Sequence, residues 1–320
     1  MKTFKLLLAA FAILAAVPAF AAQTSAPANF LYMGSGDLAG AAKLLARPDI
    51  EGVQVVYNWR QLEKAEGEYD FSPIEADLAA VEAVHKQLFV QVQDRFFSPK
   101  ARNLPDYILD GAEYGGGLVP QVDNPGEGKA AAYGWAPQQW NPALRKRYQA
   151  LLQALAEKFD GRIFGVNLPE TSIDIDMKND RTGFTCDAYF AGEMENLAFA
   201  RKAFKQSHVV QYVNFWPCEW DNDHKYMSRL FAFSADNHIG LGGPDIVPNR
   251  KGQMKNSYPF FNRYKGKLAL VAMAVQEPTL TYRNPATGKP FTRDEFVSYA
   301  AEYLGADIIF WSTATPWLKE

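Results

Sequence analysis

Eight short, apolar, β-rich runs recur along the 320-residue chain, and amphipathic helical stretches separate most of them. The runs are NFLYMG (29–34), GVQVVYNW (52–59), QLFVQVQD (87–94), IFGVNLPE (163–170), HVVQYVNF (208–215), HIGLGG (238–243), LALVAMAVQE (268–277) and DIIFWST (307–313). Apolar residues at helical spacing mark 72–86, 142–159, 187–204 and 292–305. Strands alternating with helices make βαβ units and a parallel sheet. Eight such units in roughly 300 residues predict a single-domain α/β fold, a (β/α)8 TIM barrel over 23–320. An open doubly wound sheet is the structural runner-up. It usually carries a glycine-rich phosphate turn after its first strand, and MGSGDLAG matches that only loosely. The stretch after strand six, VPNRKGQMKNSYPFFNRYKGK, shows the poorest periodicity.

Residues 1–22 read as an export signal. Lys2 and Lys5 precede the apolar core LLLAAFAILAAV, and Ala19-Phe20-Ala21 gives a small-x-small cleavage pattern. The apolar run is too short for a comfortable membrane span, which predicts a periplasmic or secreted protein with no integral membrane segment after cleavage. A formal net charge of −3 and the lack of basic clusters argue against nucleic acid or an anionic membrane as partner. Aromatic residues make up 14% of the chain, a composition that suits sugar rings and large cores alike. In an oxidising compartment the two cysteines, Cys186 and Cys218, favour one disulfide between loops on the same face.

The longest break, 95–139, follows strand three and is rich in Gly, Pro and aromatic residues; it is expected to form a wall or lid over the barrel mouth. In a barrel of this kind, residues at the C-terminal strand ends build the site. Those ends supply Trp59 and Arg60, Gln93 and Asp94, Glu170, Asn214 and Trp216, Asp245, Glu277, and Trp311. Two carboxylates among amide and aromatic side chains fit glycoside cleavage, in which one protonates the leaving oxygen and the other attacks the sugar. The four histidines form no HxH or HExxH pattern, and no G-x-S-x-G elbow surrounds Ser172 or Ser312. Metal-dependent and serine hydrolases are therefore disfavoured, and no metal or cofactor is expected.

The segment YNWRQLEKAEGEYDFSPIEADLAAVEAVHKQLFVQVQ resembles the strand-two to strand-three region of the clan A glycoside hydrolases. Many of these retaining barrel enzymes carry W-x-x-L/I-E-P-x-x-G-x-Y/F-D-F there. Trp59, Leu62, Glu63, Gly67, Tyr69, Asp70 and Phe71 match it, with Ala65 in place of other small residues or proline. The resemblance implies an acid/base glutamate after strand four and a nucleophilic glutamate after strand seven, places that Glu170 and Glu277 occupy. It also implies Trp311 as a sugar platform, with Arg60 or Asn214 orienting the nucleophile or binding a hydroxyl. Glu63 reads as structural despite its place in the motif. The clan usually has Asn directly before the acid/base residue, where this chain has Pro169, with Asn167 three positions before Glu170. Two expectations follow: an exported retaining glycoside hydrolase acting on an oligo- or polysaccharide, or a catalytically silent barrel that binds an envelope or extracellular glycan.

Overall fold

The computed structural model describes residues 26–34, 38–123 and 131–319, so the export-signal reading at 1–22 lies outside the described residues. Each of the eight runs forms a strand: β1 (Ala28–Met33), β2 (Gly52–Asn58), β3 (Gln87–Gln93), β4 (Gly165–Leu168), β5 (His208–Tyr212), β6 (Gly240–Gly243), β7 (Val271–Val275) and β8 (Ile308–Ser312). Neighbours in chain order pair in parallel, and β8 closes on β1 with Ala28 opposite Ile308 and Tyr32 opposite Ser312. The (β/α)8 barrel is therefore complete.

Local chemistry sets the helix ends. Asn141 caps Pro142–Phe159 by accepting from the backbone N–H of Ala143 at 2.9 Å, and Thr185 caps Cys186–Ala203 through Ala188 N–H at 3.1 Å. Thr292 and Glu295 form a reciprocal capping box at Arg293–Ser298, which continues as a π-helical turn over Tyr299–Leu304. The aperiodic stretch after β6 contains two short helices, Lys251–Asn256 and Tyr258–Arg263, divided at Ser257 with Pro259 in the first turn of the second. A helix at Tyr226–Asp236, between β5 and β6, has no counterpart in the sequence reading.

The long break after β3 is more ordered than expected. It contains a helix at Asp106–Asp110 and an antiparallel hairpin that pairs Leu118–Asp123 with Ala131–Pro137. That hairpin also pairs with the β4 loop, where the Val122 N–H donates to Asp174 C=O at 2.9 Å.

Two apolar layers use opposite faces of the same strands. Phe30, Phe89, Val210, Ala272, Ala274, Ile308 and Phe310 fill the barrel interior, while Leu31, Val53, Val55, Val90, Val166, Ile309 and Trp311 pack outward against the helices. Burying each large side chain stabilises the fold by roughly 1.5–3 kcal/mol. Glycine makes room for the interior rings: a Cβ at Gly52 would lie 2.4 Å from the Phe30 ring, and one at Gly165 would lie 2.5 Å from Phe89. Both faces are apolar, so the sequence of these strands barely distinguishes inside from outside.

Candidate active site

Side-chain alternation decides which strand-end residues reach the mouth. On β8, Ile308 and Phe310 lie inside, so Ser312 follows them inward and Trp311 faces out. Trp311 is fully buried; its Nε1–H donates to Asn29 Oδ1 at 2.9 Å, and its ring packs edge-on against Trp317 at 5.2 Å. This corrects its expected role as a sugar platform. Trp59 and Trp216 are corrected for the same reason. Trp59 packs on Tyr148 at 5.3 Å and donates to Glu63 at 2.6 Å, while Trp216 is enclosed by Phe190, Tyr189 and Tyr226. Glu63 is a buried hub, also accepting from the Gly67 N–H at 2.8 Å and from Arg147 at 2.7 Å.

Two charged candidates are also placed away from the mouth cavities. Asp94 is wholly buried, paired with Arg95 at 2.8 Å and accepting from Gln139 at 2.9 Å. Arg60 pairs at the surface with Asp106 at 2.5 Å.

What does gather at the mouth is a set of inward-facing polar residues around Glu170. A small cavity of about 80 Å³ is lined by residues including Tyr32, Gln91, Gln93, Arg95, Glu170 and Gln276. A larger one of about 740 Å³ includes Glu170, Asp174, Asn214, Asp245, Arg250 and Gln276 in its walls. Of the expected residues, Gln93, Glu170, Asn214 and Asp245 thus meet here. The sequence reading missed Tyr32, Gln91, Gln276 and Arg95. Period-two spacing held the signal for three of them, since Tyr32 continues the Phe30 face, Gln91 the Phe89 face and Gln276 the Ala272–Ala274 face.

The backbone around Glu170 is held at three successive carbonyls. Gln211 Nε2 donates to Pro169 C=O, Arg95 Nη1 donates to Glu170 C=O at 3.1 Å, and Tyr189 OH donates to Thr171 C=O at 2.8 Å. Arg95 is itself fixed by Asp94, by Glu193 at 2.7 Å and by the Tyr189 hydroxyl at 2.5 Å.

Burial is the main force on the Glu170 carboxyl, and the nearby Asp245 charge adds to it; together with a smaller push from Asp174, they raise its pKa from 4.5 to about 8. Arg95 and a hydrogen bond from Asn214 act the other way. Glu170 is thus a proton-bearing carboxylic acid at neutral pH. Asp245 accepts from Thr279 Oγ1 at 2.6 Å.

Glu277 sits differently. Its neighbours Gln276 and Pro278 line the larger cavity, whereas Glu277 is exposed and accepts from Ser312 Oγ at 2.5 Å. It remains electrically part of the mouth. Burial first, then the charges of Glu277, Glu170 and Asp245, push the Tyr32 phenol up to about 12. Asn167 is buried below Glu170, with Nδ2 donating to Leu168 C=O at 3.2 Å. Cys186 and Cys218 form a disulfide, Cα atoms 6.2 Å apart, tying the start of the helix after β4 to the loop after β5. Among the described residues no helix is long and apolar enough to cross a membrane.

No family model and no curated protein matches the chain. Solved structures do. The catalytic domain of β-amylase from Paenibacillus polymyxa matches with a TM-score of 0.57 at 11% identity, over 90% of this chain and 93% of that one. A mutant of xylanase A from P. fluorescens subsp. cellulosa, in complex with xylopentaose, matches at 0.51 and 11% identity, over 90% and 86%. The old yellow enzyme homologue from Zymomonas mobilis also matches, at 0.51 and 12%, over 89% and 84%. A barrel shared so widely fixes the scaffold and leaves the chemistry to the residues at its mouth. The chain has a (β/α)8 barrel like that of the clan A glycoside hydrolases.

Proposed function

We propose that the protein is an exported retaining glycoside hydrolase acting on an oligo- or polysaccharide, with Glu170 as general acid/base and Glu277 as nucleophile. The observation that carries this reading is Glu170, an acid kept protonated at neutral pH on a rigid backbone in the wall of a 740 Å³ mouth cavity. Glu277 attacks the anomeric carbon as Glu170 protonates the departing glycosidic oxygen, and the C–O bond breaks to leave a glycosyl ester on Glu277. Glu170, now a carboxylate, takes a proton from water, which attacks the same carbon and releases the sugar. Asn214 orients Glu170, and Ser312 orients Glu277. The disulfide suits an oxidising compartment, in keeping with a periplasmic or secreted location.

A barrel that binds glycans without cleaving them is the second reading. Pro169 favours it, because the residue before Glu170 supplies no amide and Asn167 is committed below it. Release of reducing ends from a polysaccharide panel separates the two. Hydrolysis that both Glu170→Gln and Glu277→Gln abolish, with azide restoring turnover in Glu277→Gly as the inverted glycosyl azide, supports the retaining enzyme. Binding without turnover on the whole panel supports the silent barrel.

A further inference from the structure

With Trp59, Trp216 and Trp311 all buried behind the strands, the mouth takes its aromatic surface from elsewhere. Phe96 is 50% exposed and lines both mouth cavities together with Glu170. A half-exposed phenyl ring in a concave polar site offers apolar area that a ligand can remove from water.

Phe96 is also held from behind. Its N–H donates to Trp135 C=O at 3.3 Å, and the Trp135 N–H returns a bond to Phe96 C=O at 3.1 Å. Gly134 approaches so closely that a Cβ there would lie 2.1 Å from the Phe96 oxygen. Trp135 is pinned in turn, by Nε1–H donation to Pro99 C=O at 2.7 Å and by the Arg102 guanidinium 3.8 Å from its ring centroid. The hairpin therefore sets where the phenyl ring stands.

Two further groups in the larger cavity are built for a polar ligand. Ser172 Oγ and Gln253 Oε1 are buried, belong to residues in the cavity wall, and bond to no other group among the described residues. A buried polar atom left in that state costs about 1–3 kcal/mol, which a ligand's hydroxyl or amine offsets. With Glu170 protonated, the charged residues in the same wall are Asp174 and Asp245 against Arg250. An anionic sugar ring would meet more like charge than opposite charge there.

We infer that the mouth takes a neutral or amino-substituted pyranose, stacked on Phe96, with its polar substituents bonded by Ser172 and Gln253. The inference rests on the carbohydrate-active reading above and names the substrate class and platform of that same site.

Calorimetry on Glu170→Gln protein, which binds without cutting, tests it. The probes are cellohexaose, mannohexaose, xylohexaose, a glucosamine hexamer and hexagalacturonate. At least one neutral or amino oligosaccharide is expected to bind more tightly than hexagalacturonate. Adding Phe96→Ala should weaken that binding about tenfold, whereas Phe96→Trp preserves it. Ser172→Ala should weaken it about threefold to tenfold. Phe96 is half in solvent, so its variants should fold, and thermal unfolding checks that they do. Tighter binding of hexagalacturonate overturns the substrate class, and unchanged affinity in Phe96→Ala overturns the platform. If no probe binds and wild-type protein cuts none of them, the carbohydrate reading fails together with the inference. Cutting that persists in Phe96→Ala with unchanged KM defeats the platform alone.

Discussion

At the end of β4, three successive carbonyls each accept a side-chain hydrogen bond, and the carboxyl they position is kept protonated by burial and a neighbouring carboxylate. At the end of β7 the corresponding glutamate is exposed, with its carboxylate bound by the hydroxyl of Ser312. The contrast fits a division of labour. On the proposed reading, a general acid needs a raised pKa and therefore a desolvated, fixed site, whereas a nucleophile needs open access to the sugar carbon.

The sharpest test of that division uses two kinds of leaving group. Glu170→Gln should lower kcat on natural glycosides about 10²–10⁴-fold, and much less on aryl glycosides whose phenolate departs unprotonated. Glu277→Gln should lower both equally. Equal losses in Glu170→Gln would show that Glu170 is not the acid.

The rigidity of the β4 end comes next. Arg95→Met leaves Asp94 and Glu193 buried without their cation, and urea unfolding should register a loss of about 3–5 kcal/mol. A loss below about 1 kcal/mol would mean that the buried network contributes little to holding Glu170.

The pH dependence carries a definite sign. The folded pKa of Glu170 lies above 4.5, so its favourable contribution is complete below 4.5 and is lost as pH rises through about 8. Activity should fall on the alkaline side near 8. Asp245→Asn removes a neighbouring negative charge and should move that limb to lower pH. Over the same window, wild-type Tm should fall relative to Glu170→Gln, a gap of roughly 2–4 °C per kcal/mol. A limb unmoved in Asp245→Asn would detach Asp245 from the acid.

The smallest effect belongs to the β7 end. Ser312→Ala removes the single hydroxyl described on Glu277 and should cost about 1 kcal/mol in kcat/KM with little change in stability. A stability loss as large as that of Arg95→Met would erase the contrast between the two ends.

The eight strands were legible because each is a short apolar run between helical patterns, and closure follows from their number. Facing was not. Trp311 and Ser312 are adjacent at a strand end, and only the Phe310 ring inside the barrel decides that serine meets the mouth while tryptophan does not. Asp94 misled for a related reason. It sits where a site residue belongs, yet Arg95 and Gln139, the latter just before a helix, hold its charge behind the mouth. The 95–139 segment hid its hairpin because Gly115, Gly116 and Gly117 all take positive φ just before it, and sequence alone reads such a cluster as loop.

That hairpin joins two parts of the mouth usually built by separate loops. One strand pairs with the Phe96 backbone and the other with Ile175 beside Asp174, so the aromatic wall after β3 and the acidic wall after β4 ride on one ribbon. Altering the ribbon would reshape both walls at once while leaving every barrel pair untouched. In evolutionary terms, a single insertion or deletion there would give the mouth a new shape on an unchanged barrel.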